Sequence, residues 1–229
     1  MLKKVVLISG GAAVGKTAVL KNIIPLLQSK DLALSVCKID CVATRDGLVY
    51  QNMNIPHVVG ISGDIFPDHF LVSNLPELYH WADEKQSDVL LIETAGLCHR
   101  CSPATEQMAA GCVLDCTSSC HAPAQLGPML TYADFVVLTK IDMVSQAERE
   151  IILWKIKELN PTAKLFTVDG LTGYGAEGLA DWLSCFSKET NFDDDVLRHS
   201  MPSGVCSYCV GEKRVGSAYQ QGVVGKIEF

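Results

Sequence analysis

Ser9-Gly10-Gly11-Ala12-Ala13-Val14-Gly15-Lys16-Thr17 decides how the rest of the chain is read. From Gly10 onward it fits G-x-x-x-x-G-K-[ST], the spacing of a phosphate-binding loop. Lys4-Val5-Val6-Leu7-Ile8 ahead of it reads as a buried strand. Behind it Val19, Leu20, Ile23, Ile24 and Leu27 recur at helical spacing and make one apolar face. Strand, glycine loop and helix therefore follow in the order such a loop needs, which a chance glycine turn would not supply. Gly10 and Gly15 let backbone N–H groups of Gly11, Ala12, Ala13 and Val14 turn inward around phosphate oxygens. The helix N-terminus adds partial positive charge. Lys16 reaches the β- and γ-phosphates, and the Thr17 hydroxyl holds Mg²⁺.

Working outward, Ala33 to Ile39 reads as a second strand ending at Asp40, with Asp46 six residues on. A carboxylate at a strand's carboxyl end faces the crevice where α/β ligands bind, so Asp40 is a candidate for Mg²⁺ or a water on it. A solvated turn acid is the competing reading. Val58 to Phe70, with Gly60, Gly63 and Pro67, reads as a mobile loop. A helix with Leu71, Leu75, Leu78 and Trp81 follows, interrupted at Pro76, just as Pro25 should kink or split the first helix.

Asp88 to Gly96 reads Asp-Val-Leu-Leu-Ile-Glu-Thr-Ala-Gly, a buried strand ending in an acid. Glu93 is placed to serve Mg²⁺ and the attacking water, and Gly96 to approach the γ-phosphate. Asp134 to Leu138 is a further buried strand and runs into Thr139-Lys140-Ile141-Asp142. This is N-K-x-D, a guanine-reading pattern, except at its first position. Asp142 would accept from two guanine nitrogens, and Lys140 would flank the base. Ser145 with Glu148 makes a capping box. The helix behind it carries Ile151, Ile152, Trp154, Ile156 and Leu159 as a wide core face. Lys164 to Val168 is the last strand, and a closing helix runs to Phe186.

The fold expected is α/β, a three-layer P-loop NTPase with a mostly parallel central sheet and a short cysteine-bearing C-terminal tail. Residues 1–187 would form the nucleotide domain, and residues 188–229 a linker and C-x-x-C tail. Asp193-Asp194-Asp195 reads as solvated linker. The chain has 229 residues and a net charge of -7, which argues against a nucleic-acid surface. No apolar stretch is long enough to span a bilayer, and no secretory h-region precedes the first strand, so a cytoplasmic protein is expected. Ten cysteines in such a chain point to metal, cluster or redox use rather than disulfides. Cys98 and Cys101 flank His99 and Arg100 directly after Gly96. Cys112, Cys116, Cys120 and His121 follow, with Cys112 and Cys116 on one face of a strand. Cys206-Ser207-Tyr208-Cys209 offers two ligands or a redox pair. Cys98, Cys101, Cys116, Cys120, His121, Cys206 and Cys209 are the candidate ligands of a transition metal or cluster.

The residues from Val5 to Phe186 resemble the metallocentre-assembly GTPases of the SIMIBI class, the CobW, HypB and UreG group. The resemblance rests on GGAAVGKT, on Asp40 with Asp46, on Glu93 to Gly96 and on TKID. It implies GTP and Mg²⁺ as ligands, Lys16, Asp40 and Glu93 as catalytic residues, and Asp142 as the guanine reader. It also implies a homodimer facing itself across nucleotide, and a client metalloenzyme or its accessory proteins as partner. Cys101 is similar in position to the cysteine that follows the HypB acid. The Cys-Pro-His and Gly-Cys-His loops of UreG and HypB are replaced here by Gly63 to His69, which keeps the histidine and lacks the cysteine. Zn²⁺, Ni²⁺ or an iron–sulfur cluster remain open as cargo. A nucleotide-gated iron–sulfur carrier or electron-transfer protein is the alternative function; a small-molecule kinase, which would need an arginine-bearing lid, ranks below it.

Overall fold

The computed structural model describes residues 2–43, 46–96, 100–188, 194–200, 212–219 and 225–229. Seven parallel strands form one sheet in the order β3-β2-β4-β1-β5-β6-β7. They are β1 (Lys4–Gly10), β2 (Leu34–Asp40), β3 (His57–Ile61), β4 (Val89–Glu93), β5 (Ala109–Asp115), β6 (Phe135–Thr139) and β7 (Lys164–Thr167). The central strands are buried on both faces, which is why they read as unbroken apolar runs. Helices cover both faces: α1 (Lys16–Gln28), α2 (Gly47–Asn52), α3 (Pro67–Glu84), the short α4 (Ala122–Gln125) and α5 (Pro128–Thr131), α6 (Gln146–Leu159) and α7 (Ala176–Cys185). The expected three-layer fold is what forms.

Several local expectations are corrected. His57–Ile61 is the edge strand β3 rather than the start of a loop, and only residues 62–66 separate it from α3. Neither proline breaks its helix: α1 runs through Pro25 and α3 through Pro76, each held by burial of its apolar face. Pro67 sits at the start of α3, where its missing N–H would have had no helical partner. The α6 face is narrower than its sequence suggests. Ile152 and Ile156 are buried, whereas Ile151, Trp154 and Leu159 are exposed, because α6 packs on only one side. Its capping box from Ser145 to Glu148 forms as read.

The C-terminal segment is not a solvated linker where it is described. Asp195 is buried and accepts a 2.9 Å hydrogen bond from the Tyr79 hydroxyl of α3. Residues 195–198 pair antiparallel with 213–215 and with 104–106, through bridges Val196↔Arg214 and Thr105↔Leu197. Arg198 ties this corner together, donating to the carbonyls of Thr105, Met108 and Tyr132 and to Asp134. Leu197, Val215 and Ile227 join the core cluster that contains α3. The connection leaving β4 is thus clamped by the end of the chain. Among the described residues, no helix is long and apolar enough to cross a membrane.

Candidate functional site

The carboxyl ends of β1, β2 and β4 open into one cavity of about 440 Å³ lined by Ala12–Ala18, Lys38, Asp40, Asp46 and Glu93–Gly96. The glycine loop is shaped by close approaches. Gly10 has φ 146°, and a Cβ there would sit 2.4 Å from the Val113 carbonyl oxygen. A Cβ on Gly96 would lie 2.7 Å from the Ala12 amide nitrogen, so the backbone after β4 abuts the phosphate loop directly. A loop lying against the phosphate loop is positioned to respond to what the loop binds.

Lys16 is buried, with Nζ 2.7 Å from the Gly11 carbonyl and 3.4 Å from that of Gly10. Burial pushes its ammonium pKa down to about 8, against the pull of the Glu93 carboxylate. Glu93 gathers three donors. Thr17 Oγ1 and Lys38 Nζ bond its Oε1 at 2.6 and 2.7 Å, and Tyr50 donates to its Oε2. Asp46 Oδ2 lies 3.2 Å from the Thr17 hydroxyl and 3.1 Å from Lys38 Nζ. Asp40 lines the same cavity, but its Oδ1 accepts from the Cys41 amide at 2.9 Å. So of the two acids after β2, Asp46 is the one bonded to Thr17. The hydroxyl and carboxylates are hard oxygen donors, the kind Mg²⁺ takes.

Lys38 and Tyr50 were not among the residues singled out from sequence. Lys38 stands opposite Glu93 in the β2–β4 register, and paired residues on adjacent strands point to the same side. Burial alone would lower its pKa; Glu93 and Asp46 overcome that and hold the ammonium above its usual value. A lysine inside an otherwise apolar strand was the signal available, since buried charges are paired.

Thr139 ends β6 beside the phosphate loop, and Lys140 and Asp142 follow it. Thr139 Oγ1 donates a 2.7 Å hydrogen bond to the Val14 carbonyl, tethering this turn to the phosphate loop. Lys140 adopts φ 54° and its Nζ reaches Asp115 at 2.5 Å and the Ala13 carbonyl at 3.4 Å. Asp142 is exposed on the turn Ile141–Met143.

The candidate metal ligands separate into groups. Cys98, Cys206 and Cys209 lie outside the described residues. Cys116 is not drawn toward Cys101: it packs in a core cluster with Cys112, Leu114 and Leu138, and burial pushes its thiol up to about 11. Cys120 lies half-buried against that cluster, and the exposed His121 has its Nδ1 3.1 Å from Lys155 Nζ. Among the described residues these three do not form a group of ligands. Cys101 meets two other residues instead. A carboxylate oxygen of Asp68, an imidazole nitrogen of His69 and the Cys101 sulfur all lie within 4.8 Å of one another, and all three residues are buried. Asp68 Oδ2 has no hydrogen-bond donor, and its separation from His69 Nε2 is 3.9 Å. Burial lowers the His69 pKa, which favours the neutral ring that ligates metals. The pair lies in the first turn of α3, close after β3, and Cys101 lies in the connection after β4. Sequence reasoning kept His69 only as a remnant and passed over Asp68, because two residues of α3 and one of a loop 32 positions away meet only in three dimensions.

Comparison with known proteins agrees with this fold. Residues 4–167 match the model of the CobW/HypB/UreG nucleotide-binding domain. The uncharacterized protein MJ0120 of Methanocaldococcus jannaschii is 42% identical over 225 residues, spanning 98% of this chain and 96% of its own length. The urease accessory protein UreG of Yersinia pestis is 26% identical over 212 residues, covering 86% and 92%. In fold, the hydrogenase maturation factor HypB from Archaeoglobus fulgidus matches with a TM-score of 0.64 at 22% identity, over 80% of this chain and 89% of that one. HypB from Helicobacter pylori, solved in complex with nickel, matches with a TM-score of 0.66 at 19% identity, over 83% and 92%. The match to the family model covers well over half of the sequence, and the chain therefore belongs to the CobW/HypB/UreG family of nucleotide-binding domains.

Proposed function

We propose that this protein binds and hydrolyses GTP and couples the nucleotide state to delivery of a transition metal into a client metalloenzyme. The observation that carries the proposal is the Asp68–His69–Cys101 group. It is built from the first turn of α3 and from the connection after β4, whose first residues, Thr94 to Gly96, line the nucleotide cavity. An imidazole, a thiol and a carboxylate form a mixed set suited to Zn²⁺ or Ni²⁺. A set with one thiolate suits a mononuclear ion better than an iron–sulfur cluster, which takes cysteines. Three protein ligands leave coordination positions through which a client or its accessory protein takes the ion.

In hydrolysis the Lys16 ammonium leaves the Gly10 and Gly11 carbonyls for the phosphate oxygens. Thr17 with Asp46 or Asp40 would hold Mg²⁺, which would supply charge neutralisation to the phosphates. Glu93 orients the attacking water. Loss of the γ-phosphate frees Gly96 from its close approach to the phosphate loop, and Cys101, on the same connection after β4, shifts relative to Asp68 and His69. Thr139 supports guanine reading in the absence of asparagine, because its hydroxyl anchors the turn bearing Lys140 and Asp142 to Val14. The reading includes a cytoplasmic homodimer that needs neither membrane nor nucleic acid.

The test is metal content and affinity after anaerobic purification, measured with GDP and with a non-hydrolysable GTP analogue. One equivalent of bound Ni²⁺ or Zn²⁺, with affinities that differ at least tenfold between the two nucleotides, is expected. Equal affinity in both states would remove the coupling on which the function rests.

A further inference from the structure

The nucleotide cavity contains a second buried cation besides the lysine of the phosphate loop. Lys38 is 5% exposed, sits at the floor of the cavity on β2, and bonds Glu93 Oε1 at 2.7 Å and Asp46 Oδ2 at 3.1 Å. Thr17 Oγ1 bonds the same two oxygens, at 2.6 and 3.2 Å. The ammonium and the hydroxyl therefore share one pair of carboxylate oxygens. Those oxygens and that hydroxyl are also the hard donors in the cavity that fit Mg²⁺.

We propose that Lys38 is an internal counter-ion that occupies the acidic corner of the nucleotide-free protein and closes it to divalent cations until a nucleotide arrives. This rests on the nucleotide-site reading above and names how that site is regulated. Three features point the same way. A protein with Asp46 and Glu93 converging on the Thr17 hydroxyl, and Asp40 lining the same cavity, has a strong cation trap unless a positive charge is already there. The β2–β4 register sets Lys38 and Glu93 side by side, so the ammonium stands beside these carboxylates by construction. A divalent ion on the same oxygens would face the ammonium at close range, and like charges in a site of reduced dielectric repel strongly. Triphosphate oxygens change the balance: they offer the ammonium a new partner and bring further ligands for the divalent ion. The corner then exchanges one cation for another. In a protein that handles a transition metal at Asp68, His69 and Cys101, this exclusion would keep divalent ions out of the catalytic corner while the cavity is empty.

The experiment is a thermal shift of the full-length protein with Mg²⁺ alone, from 0.1 to about 10 mM, without nucleotide. Mg²⁺ is the probe because it prefers oxygen ligands over thiol and imidazole. Stabilisation follows the occupancy of the folded state, so the shift reports affinity. Wild type is expected to show no Mg²⁺-dependent shift over this range. Lys38→Met, which keeps the length and removes the charge, is expected to gain at least tenfold in apparent Mg²⁺ affinity. Lys38→Arg is expected to behave like wild type. If Lys38→Met fails to fold, Lys38→Gln carries the test, since its amide still donates to Glu93. A wild type that binds Mg²⁺ as tightly as the neutral variants would overturn the proposal, and so would neutral variants that gain nothing. The readout contains no nucleotide, so failure of the GTP reading would show separately, as absent GTP binding in the wild type.

Discussion

In solution without nucleotide, the protein should be more stable without the lysine of its phosphate loop. Lys16 is buried among P-loop carbonyls, and burial pushes its pKa down to about 8. An unburied lysine titrates near about 10.4, and each decade corresponds to about 1.4 kcal/mol. Holding the ammonium protonated at this buried position therefore costs roughly 3 kcal/mol at pH 7. Lys16→Met keeps the aliphatic stem and removes the charge. It loses the bonds to Gly10 and Gly11, so the expected net gain is about 1–3 kcal/mol at pH 7, or a melting temperature higher by about 3–10 °C for a chain of this size. The pH dependence supplies the sign. Between pH 8 and about 10.4 the unfolded state binds more protons at this residue than the folded state, so wild-type stability rises with pH. The cost is fully present below pH 8 and vanishes above the unfolded pKa. The advantage of Lys16→Met should accordingly be largest at neutral pH and shrink as pH rises through this window. The assay is urea or thermal unfolding without nucleotide from pH 7 to 10.5, beside calorimetry showing that GTP binding is lost. A variant that is less stable than wild type at pH 7, with a difference independent of pH, would refute the reasoning.

Other outcomes follow from the same geometry. Asp142→Asn should cut discrimination of GTP over ATP at least tenfold, measured by competition, because a paired acceptor becomes a mixed donor–acceptor. Thr139→Val removes the hydroxyl bonded to Val14 and should weaken GTP binding about fivefold to tenfold, with little change in melting temperature, as titration calorimetry would show. Cys101→Ala should lower bound Ni²⁺ or Zn²⁺ at least tenfold while GTP affinity stays unchanged, checked by elemental analysis and nucleotide titration. Tyr79→Phe leaves the buried Asp195 carboxyl short of a donor and should cost about 1–3 kcal/mol in urea unfolding.

The sequence by itself determined the nucleotide fold. Glycine spacing, the lysine–threonine end of the loop and apolar runs ending in Glu93 or Thr139 are local signals, set by backbone sterics and by strands buried on two faces. They placed β1, β2, β4 and β6 within a residue or two. Local signals misjudged elements whose fate depends on neighbours. Pro25 and Pro76 stay inside helices because burial outweighs one missing hydrogen bond, and Trp154 is exposed because no layer covers that side of α6. Asp195 is dry because Tyr79 and the 104–106 segment close over it. The site divides the same way. Lys16 and Thr17 were legible from their loop, whereas Lys38 acquired its role only when strand register set it beside Glu93. The metal group shows the division most sharply. Cysteine spacing suggested Cys101 together with Cys116, Cys120 and His121, yet the fold turned Cys116 into the core and set Cys101 against Asp68 and His69. Ligands drawn from separate elements leave no period in the sequence, so only the packing of α3 against the loop after β4 could decide them.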